Sequence, residues 1–164
     1  MDVSQEELEA LAARLGEALR AKGWMLAAAE SCTGGWAAQA ITAVAGSSAW
    51  FDRGFVTYSN AAKQDMLGVR AETLAAHGAV SEATVREMAE GAVARSGAQA
   101  AFAISGIAGP AGGTADKPVG LVCFAWAVAG RPGETASLRL AGDRRAVRAQ
   151  AVATALRGLL ERLQ

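Results

Sequence analysis

Ser31 and Lys63 are residues whose types could together do covalent chemistry. A serine hydroxyl is a weak nucleophile until a base takes its proton, and the chain holds one histidine, His77, in AAHGAV. That setting suits a structural hydrogen bond near a helix end. Lysine is the other candidate base, because burial lowers its pKa toward neutrality. Thirteen of the sixteen basic residues are arginine, which keeps its proton; the lysines are Lys22, Lys63 and Lys117. Lys63 lies one helical turn beyond the polar stretch Tyr58-Ser59-Asn60. Its bland alternative is a solvated lysine on a short helix.

The stretch AESCTGG, residues 29–35, breaks an apolar run. Ser31 or Thr33 could simply cap the next helix, with Cys32 filling a small gap. Alternatively, Ser31 sits beside free backbone N–H groups at the positive end of a helix dipole, where an oxyanion could be held. Gly34 and Gly35 would let a substrate approach the backbone closely. Cys32 is itself a candidate nucleophile, since a helix N-terminus lowers a thiol pKa. Adjacent side chains cannot readily aim at one point, so either Ser31 or Cys32 is support.

Two further stretches could hold an anion. The loop SGIAGPAGGTADKPVG, with Ser105, Gly106, Gly109, Gly112 and Gly113, could wrap backbone amides around a nucleotide, although it matches neither the P-loop nor the dinucleotide fingerprint. GDRRAVR places Arg144 and Arg148 one turn apart, where two guanidiniums could grip a phosphate; a solvated basic face is the alternative. With one histidine and scattered acids, no metal site is expected.

These residues need elements to position them. Leu8, Leu11, Leu15 and Leu19 predict an amphipathic helix over about 4–21. WMLAAAE reads as a buried strand, and TGGWAAQAITAV as a helix ending at Ala45-Gly46. FDRGFVTYSN predicts a strand stopping near Tyr58, with Asn60 capping a helix that carries Lys63. A helix from Ser81 to about Ser96, strands at AAFAIS and LVCFAWAVA, an edge strand at ETASLRL and a last helix from Arg144 follow. This alternation argues for a sheet covered on both faces by helices. If its strands run parallel, the polar turns after Ala29, Val56 and Ile104 converge on one edge, where such sheets bind ligands.

At 164 residues, 52% of them hydrophobic, the chain is expected to form one domain over 1–164. Acidic and basic residues balance at sixteen each, so nothing points to nucleic acid or a polybasic membrane contact. No segment reads as a signal peptide or a span. Two cysteines make no disulfide framework, and a reducing cytoplasm fits.

Taken together, AESCTGG, AGSS, GFVTYSNAAK, LGV, HGAVSEATVREMAEGA, SGIAGPAGG, KPVG and GDRRAVR resemble the CinA C-terminal domain family, the nicotinamide-nucleotide amidohydrolases, over about residues 5–163. The resemblance implies hydrolysis of nicotinamide mononucleotide to nicotinate mononucleotide and ammonia, without a cofactor. It also implies Ser31 as nucleophile, Lys63 as general base and Tyr58 as a positioning or relay group, in a homodimer. The implied fold is a three-layer α/β/α sandwich with a mixed, mostly parallel sheet, in place of a fully parallel one. Ser105 departs from the threonine common before GIAGP, but keeps a hydroxyl. On this reading the amides near Cys32 and Thr33 hold the oxyanion. The phosphate is expected at the glycine-rich loop and at Arg144 or Arg148. Two other readings compete. A non-catalytic pyridine-nucleotide sensor would use the same loop and arginines. An interaction domain would use Trp24, Trp36, Trp50 and Trp126 as contacts, although such aromatics are usually core.

Overall fold

The computed structural model describes residues 2–164. Helix α1 (Gln5–Lys22) starts at a capping box: Ser4 Oγ accepts from Glu7 N, and Ser4 N donates to the Glu7 carboxylate. Its four leucines, at positions 8, 11, 15 and 19, are all buried. Strand β1 (Leu26–Glu30) follows, then α2 (Trp36–Thr42), shorter than the sequence predicts, and a short 3-10 turn over Ser47–Ala49. Next come β2 (Phe51–Val56), α3 (Asn60–Leu67), α4 (Ala71–His77) and α5 (Glu82–Ala94). The chain closes with β3 (Ala100–Gly106), β4 (Leu121–Val128), β5 (Glu134–Arg139) and α6 (Arg144–Leu163). Asn60 does not cap α3. That role falls to Ser59, whose Oγ accepts from Ala62 N at 3.0 Å.

The strand order is β2-β1-β3-β4-β5. β1 pairs parallel with β2 and β3, whereas β4 runs antiparallel to both β3 and β5. A fully parallel sheet is therefore overturned, and the mixed sheet stands. Parallel neighbours need a crossover, usually a helix. Residues 107–120, rich in glycine and proline, form none. Instead the loop closes at its base, where Ile107 N donates to Leu121 O and Gly120 N to Ile107 O. The chain turns back beside β3.

Alternate strand residues feed two cores. Toward α1, α2 and α6 point the large side chains Phe102, Ile104, Phe124 and Trp126. Toward α5 point Ala27, Ala29, Ala101, Ala103 and Ala125. These small residues let α5 lie close to the sheet. At Gly91 of α5 the approach of α3 is closer still: a Cβ there would stand 1.9 Å from Leu67 O. The structure is thus one α/β domain in three layers. No helix among the described residues is long and apolar enough to cross a membrane.

Candidate active site

The carboxyl ends of β1, β2 and β3 bring Ser31, Lys63 and the loop after Gly106 together around a cavity of about 270 Å³. Ser31 follows β1 directly, and its N–H donates to Ile104 O, continuing the ladder to β3. Lys63 reaches in from α3 and is 1% exposed. Its Nζ lies 3.0 Å from Ser31 Oγ, 2.9 Å from Thr57 O and 3.3 Å from Tyr58 O.

The two carbonyls can only accept, so Lys63 must donate to both. A neutral amine has two N–H groups, and with both engaged its lone pair is left for the Ser31 hydroxyl. No carboxylate among the described residues forms an ion pair with Lys63. Burial accordingly holds its pKa below the ordinary lysine value, with the neighbouring Cys32 opposing the shift.

Cys32 behaves differently from the thiol that a helix N-terminus would activate. Burial pushes its pKa up to about 11, against the lowering effect of Arg148. Burial thus works against the thiolate that a helix N-terminus would favour, and the Lys63 amine bonds Ser31 Oγ and not Cys32 Sγ.

The turn is held by a residue to which the sequence alone assigns no role. Glu30, buried at the end of β1, accepts from Thr33 Oγ1 at 2.6 Å, Ala37 N at 2.9 Å and Ala38 N at 3.0 Å. Its carboxylate therefore caps α2, and neither Ser31 nor Thr33 does so. A signal was present: an acid ending an apolar strand must find donors, and the first turn of α2 offers them unpaired.

Of the other expected site residues, Cys32, Tyr58, Ser105, Gly106, Gly109, Gly112 and Arg144 line the cavity. Arg144 donates to Gly109 O at 2.7 Å and approaches the Tyr58 hydroxyl at 3.4 Å, bridging the mouth. Ser105 Oγ donates to Ala79 O at 2.8 Å, which draws the segment before α5 over the cavity. Ala79 and Val80 thereby form an apolar wall that the sequence does not flag. Thr33, Gly34, Gly35 and Arg148 are not brought to this cavity; they border a depression beside Trp36. Gly113 borders neither. The His77 side chain is exposed, and its carbonyl accepts from the Lys117 ammonium, tying the glycine-rich loop to the end of α4. The described residues contain no group of three or more histidine, cysteine or acidic side chains suited to a metal ion.

A three-layer α/β domain with a serine and a buried lysine at its parallel strand ends narrows the class to which this chain can belong. It belongs to the CinA C-terminal domain family, whose model matches residues 8–163. It is 57% identical over 157 residues to the nicotinamide-nucleotide amidohydrolase PncC of Escherichia coli (strain K12), covering 96% of this chain and 95% of that protein. Among solved structures, the competence/damage inducible protein CihA from Agrobacterium tumefaciens superposes with a TM-score of 0.94 at 47% identity, covering 100% of this chain and 99% of that one. The competence damage-inducible protein A (ComA) from Klebsiella pneumoniae gives 0.91 at 50% identity, covering 95% and 96%.

Proposed function

We propose that the protein hydrolyses the carboxamide of nicotinamide mononucleotide to nicotinate mononucleotide and ammonia by a serine-lysine mechanism. The observation that carries this reading is the 3.0 Å approach of Lys63 Nζ to Ser31 Oγ, with both remaining contacts of the amine made to carbonyls. The amidohydrolase name of the Escherichia coli relative supports the substrate class.

Neutral Lys63 takes the Ser31 proton as Oγ bonds to the carboxamide carbon. The new oxyanion is met by backbone N–H groups of the turn. The Lys63 ammonium then returns a proton to the departing nitrogen, the C–N bond breaks and ammonia leaves. Water, giving its proton to Lys63, attacks the acyl-serine and releases the acid and the Ser31 hydroxyl. The Ala79 and Val80 wall suits the flat face of a pyridine ring. Arg144, with donors to spare at the mouth, suits the phosphate.

Ammonia release from the mononucleotide tests this directly. Ser31→Ala and Lys63→Ala should each lower kcat by about 10³-fold or more, as when members of a catalytic unit are removed. Near wild-type turnover by either variant would falsify the mechanism. Binding without ammonia release by the wild type would instead favour a nucleotide sensor.

A further inference from the structure

Residues 31–35 hold themselves together poorly. Inside the turn one backbone hydrogen bond forms, from Gly34 N to Ser31 O at 3.0 Å. The rest must come from outside: Glu30 holds the Thr33 hydroxyl, and α6 holds the carbonyls. Arg148 Nε donates to Cys32 O at 3.0 Å and Nη2 donates to Thr33 O at 3.1 Å. The guanidinium also lies 5.4 Å from the Trp36 ring centre, within cation–π range.

In a trans peptide the C=O and the following N–H point to opposite sides. Holding Cys32 O toward α6 therefore aims Thr33 N–H away from α6. That N–H has no acceptor among the described residues. A permanent positive charge on the carbonyl oxygen also polarises the whole peptide group, and hydrogen bonds in series strengthen one another.

We propose that Arg148 is a positioning residue of the nucleophile turn: by gripping the carbonyls of Cys32 and Thr33, it fixes the backbone that aims Ser31 at the substrate. This replaces the phosphate contact that the spacing of GDRRAVR suggests for it, and it rests on the serine-hydrolase reading above. Arg148 touches no substrate in this role; it acts through the backbone.

The test compares kcat and KM for ammonia release from the mononucleotide and from its dephosphorylated riboside, with Ser31→Ala as the inactive control. Arg148→Ala should lower kcat by about 10²-fold, the usual cost of displacing a reacting group by about 1 Å. KM and the preference for the phosphorylated substrate should stay within about twofold, the scale of a change that involves no lost charge contact. Added guanidinium ion should restore part of the lost kcat. Arg148→Lys, which keeps the charge but cannot span two carbonyls with a planar fork, should fall between wild type and Arg148→Ala. It also carries the comparison if the alanine variant does not fold.

A raised KM with kcat unchanged, or a collapsed preference for the phosphorylated substrate, overturns the inference and returns Arg148 to the phosphate. A lowered kcat that neither guanidinium nor lysine relieves, accompanied by a lower Tm, overturns it in favour of stability alone. In both cases the hydrolase reading survives, because wild type still releases ammonia and Ser31→Ala does not. If wild type releases none, both fall together.

Discussion

A lysine amine enclosed by two carbonyls and a serine, with no carboxylate beside it, gives up its proton more readily than one in water. At the residue scale this predicts the pH profile. Burial lowers the Lys63 pKa from its ordinary value of 10.5, and in the proposed mechanism the amine must be neutral to accept the Ser31 proton. Hence kcat/KM should rise with pH, pass its midpoint below 10.5 and then level off. A profile flat from pH 5 to 10, measured by ammonia release, would leave Lys63 without a titrating role. The meeting of Ser31 and Lys63 was legible in the sequence because few groups in this chain could make a nucleophile and base pair. Glu30 and Arg148 were less so, since each works through backbone groups whose positions exist only once the turn has folded.

At the scale of elements, the position of Lys63 depends on how α3 is seated. Its last residue, Leu67, presents a carbonyl to Gly91 of α5 at a distance that leaves no room for a methyl group. Alanine in a helix ordinarily gains about 1 kcal/mol over glycine. At position 91 overpacking against backbone should reverse the sign, with a net loss of about 1–3 kcal/mol. Gly91→Ala should therefore lower the urea midpoint. It should also reduce kcat, because the displaced α3 carries Lys63 and a shift of about 1 Å can cost about 10²-fold. Unchanged stability would show that α3 and α5 are free to separate. The stripes of α1 and α6 were readable from leucine spacing, and so were the buried strands. The reversal of β4 was not readable from periodicity, because alternation fixes which side chains face a core and leaves strand direction open.

For the whole molecule, enclosing an amine has a thermodynamic signature. Because the folded pKa of Lys63 is lowered, the unfolded chain holds more protons between that pKa and 10.5, so stability should rise with pH in that window. Cys32 has the opposite sign. Its contribution is complete below 9.0 and is lost as pH rises toward about 11. Lys63→Met removes the first effect and retains the second. Urea unfolding of both proteins at a series of pH values should therefore show the stability difference moving in favour of wild type as pH increases. A difference independent of pH would mean that the amine is as well solvated in the folded state as in the unfolded one. Fold class and the single sheet were legible from the alternation of elements, whereas the division of that sheet into one alanine-lined face and one bulky face emerged only with the register.

The direction of the strands gives the molecule two poles with unequal tolerance for attachments. Arg131, beyond β4, donates to Arg162 O near the end of α6, so Gln164 emerges at the pole away from Ser31. Asp2 and Val3, by contrast, lie beside Asp143 and Arg145, on the rim that leads to Arg144. A label, tether or fusion joined after residue 164 is carried clear of incoming substrate, while the same cargo joined ahead of residue 2 starts beside Asp143 and Arg145, the neighbours of Arg144.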